Sequence, residues 1–147
     1  LSMSLINDLK LNDHVTFTGY VKQDEIRKLH SMSKIYIMVS KYIADSGDSE
    51  GFGITFLEAN LCGCPVIGSI SGGIPDAVEH NINGLLVAPQ DHASLSKSIL
   101  LLLSNNEKRH NLIYQGKERV LERFTWEKIT DQIISNYEKS VFPNVKY

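Results

Sequence analysis

The chain has 147 residues, of which 42% are apolar and 22% are charged, and its formal net charge is −2. This length and composition are typical of one soluble globular domain, and the scattered basic residues argue against nucleic acid or an anionic membrane surface as a partner. The longest apolar run, residues 99–103, is far shorter than the roughly 18 residues that a membrane span requires.

The first forty residues predict two amphipathic helices and two strands. Residues 2–10 and residues 23–31 carry apolar side chains at helical spacing. Residues 15–18 predict a strand that ends at Gly19. Residues 35–39 are almost entirely apolar, which is typical of a strand that is covered on both faces in a parallel sheet.

The middle of the chain continues this alternation of strands and helices. Residues 40–53 are polar and contain glycine, which predicts a loop, and residues 54–61 resume helical periodicity. Residues 66–68 and 85–87 predict short strands, and residues 74–79 predict a short helix between them. The alternation predicts an α/β fold with a Rossmann-like, doubly wound parallel sheet.

After residue 89 the pattern predicts helices only. Asp91 caps a helix that ends near residue 103, a second helix spans about residues 107–123, and Thr125 caps a third. The third helix carries one apolar stripe, which we expect to be packed against the rest of the fold. The stripe consists of Trp126, Ile129, Ile133 and Tyr137.

The cysteines and histidines indicate no metal centre. Cys62 and Cys64 are the only cysteines, and their position in an apolar segment predicts small core residues rather than a disulfide framework or a zinc site. The five histidines are dispersed without ligand spacing. A reducing, intracellular setting fits this cysteine usage.

Two carboxylates, Glu50 and Glu58, flank a Gly-Phe-Gly turn and are separated by seven residues. An ionised carboxylate only accepts hydrogen bonds, so Glu58 suits a vicinal diol such as a ribose, and Glu50 suits sugar hydroxyls. A competing interpretation is structural, because the helix dipole favours acidic residues in the first turns of a helix whatever the function.

The turn between these carboxylates predicts an anion site. Gly51 and Gly53 let the backbone approach a ligand closely, and the N–H groups of Phe52, Gly53 and Ile54 have no partner at the helix start. Such donors suit a phosphate, although a helix terminus orients a diphosphate without neutralising its charge. A further basic group is therefore required.

A second glycine turn, Gly72 and Gly73, follows the next predicted strand. Loops that follow parallel strands gather at the carboxyl edge of the sheet, so we expect this turn and the Gly51 turn to converge there. The structural alternative is that Gly72 and Gly73 merely shape the turn before Pro75, which suits a first helical turn.

Residues 15–137 resemble the C-terminal, nucleotide-sugar-binding domain of retaining glycosyltransferases of the two-domain GT-B architecture, glycosyl transferases group one (family four). Four motifs carry this resemblance in order along the chain. They are Glu50-Gly-Phe-Gly-Ile-Thr-Phe-Leu-Glu58-Ala, Gly63-Cys-Pro-Val66, Gly72-Gly-Ile-Pro-Asp76 and Asn83-Gly-Leu-Leu-Val87. Asp76 departs from the family, which usually has Glu at this position.

The resemblance implies a role for each motif residue. Glu58 would bind the ribose, and the catalytic candidate Glu50 would face the donor sugar. The remaining substrate-binding candidates are Gly51, Phe52, Gly53 and Ile54 for the sugar and diphosphate, Gly19, Tyr20 and Val21 for the nucleobase, and Ser40 beside them. The family transfers the sugar from a nucleoside diphosphate sugar with retention, without metal or another cofactor, by stabilising the departing diphosphate.

The chain also departs from the family in extent. The family's domain begins with two further strand-helix units, which supply a Gly-rich turn and an Arg and Lys for the diphosphate, and an N-terminal domain binds the acceptor. We therefore expect one partial domain, with a donor-binding α/β part (residues 1–89) and a helical part (residues 90–147), that is inactive alone. The resemblance implies a glycan or glycolipid acceptor in polysaccharide assembly and a cytoplasmic location, with any membrane association supplied by the missing half.

The missing strands imply a gap in the sheet. In the family they lie between the strands predicted at residues 15–18 and residues 35–39, so this chain would have unpaired strand edges. We expect the two strands either to close up directly or to pair between chains and form an oligomer.

Two other functions remain open from the sequence. A related sugar-nucleotide module would bind without transferring, and donor hydrolysis or transfer would distinguish it. A flavodoxin-like or receiver-like signalling domain would share the doubly wound fold. The acidic cluster and lysine of a receiver are not found at the expected strand ends.

Overall fold

The computed structural model of the protein describes residues 2–40 and 51–141. These residues form a three-stranded sheet with helices, and the elements are numbered in chain order. The strands are β1 (Tyr36–Met38), β2 (Val66–Ser69) and β3 (Gly84–Val87). The helices are α1 (Ser2–Asp8), α2 (Gln23–Met32), α3 (Ile54–Leu61), α4 (Ile74–Ala77), α5 (His92–Ser104), α6 (Asn106–Arg123) and α7 (Trp126–Val141).

The three strands are parallel and lie in the order β1-β2-β3. Tyr36 pairs with Val66, and Val66 pairs with Gly84. The central strand β2 is buried along its whole length, because it has a strand on each side and helices on each face. The parallel sheet predicted from the sequence is confirmed.

Apolar residues fill both faces of the sheet. Alternate residues of β2 point to opposite faces, so Val66 and Ile67 belong to two separate core clusters. One cluster packs α3 and α4 on the sheet through Phe56, Leu57, Ala59, Ile74, Ala77 and Val78. The other packs α5 and α6 through Leu102 and Leu112 against Ile67, Leu85 and Val87. Each fully buried large apolar side chain stabilises the fold by roughly 1.5–3 kcal/mol. Because helices cover both faces of the sheet, the predicted doubly wound arrangement is confirmed.

Most predicted element bounds agree with the structure to within one or two residues. Helix α3 begins and ends where its apolar periodicity begins and ends. Asp91 caps α5, since its carboxylate accepts a hydrogen bond from the Ser94 N–H at 2.9 Å. Thr125 caps α7 by accepting from the Lys128 N–H at 3.3 Å. The division at residue 89 stays a prediction, and α5 and α6 share their core with the sheet.

The cysteine prediction is confirmed for Cys64, whose side chain is fully buried. Burial, with a smaller contribution from the neighbouring Cys62, raises the pKa of the Cys64 thiol to about 11. Cys62 is half-buried, and neither cysteine forms a disulfide. Both observations fit small packing residues.

The strand predicted at residues 15–18 is wrong. These residues form no strand and are exposed, including Phe17 at 56% of its surface. A strand needs a hydrogen-bonding neighbour, and none of the described strands pairs with this segment. Direct closure of this segment onto β1 is therefore also wrong, and pairing between chains stays a prediction. One edge of β1 has no strand partner in the described part of the chain, and Ile37 is 38% exposed rather than covered.

The packing predicted for the apolar stripe of α7 is also wrong. None of the described residues of α7 is buried, and Trp126 is 85% exposed. Ile133 and Tyr137 are exposed as well. Helical periodicity shows which face is apolar, but it does not supply an element to cover that face.

Candidate functional site

The start of helix α3 lies at the carboxyl edge of the sheet. Gly53 precedes the helix in the left-handed conformation, with φ of 78°, which a residue with a Cβ rarely adopts. The Phe56 N–H donates to the Gly53 carbonyl at 2.9 Å, and the Phe56 ring packs under Gly53. No described residue accepts a hydrogen bond from the N–H of Ile54 or Thr55. Among the described residues, the start of the helix therefore presents at this edge the Ile54 N–H, which is one of the three predicted donors.

The two glycine turns converge there. A Cβ added at Gly73 would lie 2.7 Å from the carbonyl oxygen of Gly51 and 3.2 Å from the Cα of Phe52. Gly73 has φ of −87°, so its backbone does not demand glycine, and the close approach does. The predicted convergence of the turns after β1 and β2 is confirmed.

Glu58 lies in the second turn of α3, half-buried, and faces the start of α2. Its Oε1 accepts a hydrogen bond from the side-chain amide of Gln23 at 3.1 Å. Gln23 is the first residue of α2 and is separated by one residue from the Gly19-Tyr20-Val21 turn. The structure thus places the predicted ribose residue close in the fold to the predicted nucleobase turn. Tyr20 is 95% exposed, so its ring is free of packing.

A buried aromatic contact holds α2 against the sheet. His30 is 7% exposed, and its ring meets the edge of Tyr36 with centroids 4.9 Å apart. The Tyr36 hydroxyl donates to Thr55 Oγ1 at 2.9 Å, which links β1 to α3. Burial lowers the pKa of His30, and the negative charge of Glu58 opposes part of that shift. Helix α2, β1 and α3 are therefore joined around Glu58.

Ser40 lies at the end of β1, at the same edge of the sheet. Its N–H donates to Ser69 Oγ at 2.9 Å, and Ser69 Oγ donates back to the Ser40 carbonyl at 2.8 Å. This reciprocal pair ties the ends of β1 and β2 together. The Oγ atoms of Ser40 and Ser71 are buried and have no hydrogen-bond partner among the described residues.

A buried amide pair fixes the other end of α3. Asn60 and Asn83 are fully buried and exchange hydrogen bonds of 3.0 and 3.1 Å. Asn83 also donates to the Ala77 carbonyl at 2.9 Å and accepts from the Glu79 N–H at 2.6 Å. Buried polar groups that are satisfied in this way stabilise one arrangement, so α3 and Glu58 are held relative to α4 and β3.

A cavity of about 640 Å³ lies beside the start of α3. Sequence reasoning missed it, because α6 and α7 supply much of its wall. Arg119 is held there by an ion pair of 2.8 Å with Glu79 and by the Phe124 ring, 5.5 Å away. The lining residues are Phe52, Ile54, Leu57, Asp76, Arg119, Arg123, Phe124, Trp126, Ile129 and Gln132. The sequence did contain one sign of this cavity wall: Arg119 and Arg123 are four residues apart and therefore lie on the same face of α6.

Glu50, the catalytic candidate, lies outside the described residues. Within residues 2–40 and 51–141, no group of three His, Cys, Asp or Glu side chains is arranged to hold a metal ion. In the same ranges, no helix has the length and hydropathy needed to span a membrane.

Comparison with known proteins adds a family match. Residues 3–119 match the family model described as glycosyl transferases group 1. A GDP-mannose-dependent alpha-(1-6)-phosphatidylinositol monomannoside mannosyltransferase from Mycobacterium tuberculosis is 33% identical over 129 residues, which make up 88% of this chain and 34% of that protein.

Two solved structures share the fold. Sucrose-phosphate synthase from Thermosynechococcus elongatus superposes with a TM-score of 0.80 and 32% identity over 95% of this chain and 33% of its own. HepE from Anabaena, in complex with UDP-glucose, has a TM-score of 0.80 and 26% identity over 94% of this chain and 36% of its own. The chain thus spans about a third of the length of the relatives that it matches. These matches confirm the predicted α/β fold.

Proposed function

Because the chain belongs to the glycosyl transferases group 1 family, we propose that it is the donor-binding part of a glycosyltransferase. The full-length protein moves a sugar from a nucleoside diphosphate sugar to an acceptor. The acceptor is a glycan or glycolipid, and the part of the protein that binds it lies outside this chain. The signalling-domain alternative loses its support, since most of the chain matches a transferase family.

One observation carries this proposal. The Gly51 and Gly73 turns meet at the carboxyl edge of the sheet, where α3 presents backbone N–H groups that no described residue accepts from and, one turn later, the carboxylate of Glu58. Donors that suit a diphosphate and an acceptor that suits a diol thus lie on one short helix. A site for a nucleoside diphosphate needs these donors and this acceptor close together, because the ribose and the phosphates of the ligand are adjacent.

The relatives support a nucleotide sugar as the donor class and leave its identity open. HepE is found with UDP-glucose, whereas the mycobacterial relative is named as GDP-mannose-dependent. The turn of Gly19, Tyr20 and Val21 would contact the base, with Ser40 close to it. Donor screening therefore has to include uridine, guanosine and adenosine compounds.

The proposed chemistry is electrostatic. The N–H groups at the start of α3 stabilise the departing diphosphate, while Glu50 holds hydroxyls of the donor sugar, and transfer proceeds with retention. The reaction uses no metal or other cofactor, and the protein acts in the cytoplasm. This chain alone is inactive, because the basic groups for the diphosphate and the acceptor site lie outside it. Measurable turnover by the isolated 147 residues would contradict that statement.

The test is a thermal-shift and calorimetric screen of UDP-, GDP- and ADP-sugars on the full-length protein, repeated with Glu58→Ala. Loss of a hydrogen-bonded carboxylate is expected to weaken binding by about ten- to a hundredfold. Glu122→Ala, on the exposed face of α6, is the matched control and should bind as the wild type does. Unchanged affinity in Glu58→Ala would refute the ribose role. Binding without donor hydrolysis or transfer would identify a non-catalytic sugar-nucleotide module instead.

A further inference from the structure

The hydrogen bond between Gln23 and Glu58 joins two residues that are 35 positions apart in the chain. Glu58 carries two acceptor oxygens and no donor, so the amide Nε2 of Gln23 must be the donating atom. Gln23 is exposed at the first turn of α2, and Glu58 is half-buried in α3. The contact therefore lies at the protein surface and contributes little to the stability of the core.

This contact fixes one oxygen of the carboxylate and leaves the other without a donor among the described residues. A carboxylate has about four lone-pair positions. Gln23 takes one of them on Oε1, and no described group donates to Oε2. A long acidic side chain otherwise loses rotamer freedom when it binds a ligand, and a side chain that is already oriented loses less. Gln23 thus orients Glu58 and leaves room for two hydroxyl groups.

The surroundings of Gln23 keep its position fixed. Helix α2 is held by the buried His30 ring against Tyr36, and Tyr36 in turn bonds Thr55 of α3. The backbone N–H of Lys22, just before Gln23, donates to Glu25 Oε2 at 3.2 Å, which closes the first turn of α2. The helix that carries Gln23 and the helix that carries Glu58 are therefore held together by contacts other than the Gln23 bond.

We propose that Gln23 is a positioning residue, which orients Glu58 toward the two ribose hydroxyls and so makes the site select ribonucleoside over 2′-deoxyribonucleoside diphosphates. This inference rests on the proposed function, in which Glu58 binds the ribose. A 2′-deoxyribose offers Glu58 one hydroxyl instead of two, so precise orientation of the carboxylate matters less for it.

The experiment measures Kd by calorimetry for UDP, GDP and ADP and their 2′-deoxy counterparts on the full-length protein. The variants are Gln23→Ala, the isosteric Gln23→Glu, Glu58→Ala and the double variant Gln23→Ala/Glu58→Ala. Gln115→Ala, exposed on α6, is the control. Gln23→Ala is expected to weaken the ribonucleotide roughly three- to tenfold and to reduce the ribo-to-deoxy ratio. Gln23→Glu should weaken it further, because two carboxylates repel each other.

The double variant separates positioning from other roles. If Gln23 acts through Glu58, Gln23→Ala has no further effect in the Glu58→Ala background. An undiminished effect there, or an equal loss for ribo- and deoxynucleotides, would overturn the inference while leaving the proposed function intact. No binding by the wild type would overturn the proposed function and this inference with it. No effect of Glu58→Ala would refute the ribose role of Glu58, on which this inference rests.

Discussion

Gly73 packs directly against the backbone of Gly51, and a Cβ at Gly73 would lie 2.7 Å from the Gly51 carbonyl oxygen. Two loops that follow different strands can therefore contact each other only because Gly73 has no side chain. Backbone atoms cannot swing aside as a flexible side chain can, so any larger residue at position 73 has to move the Gly51 turn.

Gly73→Ala is therefore expected to displace the segment of Gly51 and Phe52 and weaken nucleotide-sugar binding by roughly tenfold or more, because the donors at the start of α3 lose their alignment. Calorimetric titration with the donor found in the screen measures this change. Gly51→Ala is the comparison, since a Cβ there meets no described atom within 4 Å. Gly51→Ala should leave the free energy of unfolding unchanged and should affect only ligand binding. Wild-type affinity in Gly73→Ala would show that the contact between the turns is unimportant for binding.

Gly116→Ala is expected to destabilise the fold, although alanine is the better helix former. A Cβ at Gly116 would lie 2.8 Å from Asn60 Nδ2, and Asn60 is bound to Asn83 and cannot leave its place. Overpacking of this kind costs about 1–3 kcal/mol, whereas the gain in helix propensity is about 1 kcal/mol. Urea unfolding measures the net loss. Gln115→Ala on the same helix controls for propensity, and a Gly116→Ala variant as stable as wild type would contradict the packing argument.

The stability of the fold is expected to fall in mild acid because of His30. Burial lowers its pKa in the folded state, while the unfolded chain keeps a value near 6.5. The unfolded state therefore binds more protons below about pH 6.5. The contribution of neutral, buried His30 to stability is fully present above that pH. It declines as the pH falls toward the lowered pKa of His30 in the folded state.

Urea unfolding of the wild type and His30→Gln between about pH 5 and pH 7.5 tests this expectation. The variant should show a flatter dependence on pH, whatever its absolute stability, because glutamine does not titrate. His92→Gln, exposed at the start of α5, is the control and should retain the wild-type slope. Identical slopes for His30→Gln and the wild type would assign the acid sensitivity to other groups.

Local signals in the sequence were sufficient to predict the helices, whose backbone hydrogen bonds join residues that are close in the sequence. Helix α3 was predicted with its observed bounds, because Gly53 and the periodicity up to Leu61 are both local. The strand at residues 15–18 failed for the opposite reason. Its apolar residues favour an extended conformation, but only a neighbouring strand can satisfy the backbone, and that neighbour is not among the described strands.

The candidate site was predicted in its backbone and missed in its side-chain partners. Glycine spacing and the rule for carboxyl edges were enough to bring Gly51 and Gly73 together. The bond from Gln23 to Glu58 and the pairing of Asn60 with Asn83 join residues far apart in the chain, and no local pattern marks them. Such contacts depend on the angle at which two helices or a helix and a loop meet. That angle is a property of the packed fold.

The order of the strands bears on how the chain folds. Tyr36 pairs with Val66 thirty residues later, and Val66 pairs with Gly84 only eighteen residues later. Among the strands in residues 2–40 and 51–141, none inserts between two that precede it in the chain, so each pair can close as soon as its later strand has left the ribosome. Short separations between paired strands lower the entropy cost of closing each loop and favour rapid folding. Strands β1, β2 and β3 can thus assemble one after another in the direction of synthesis.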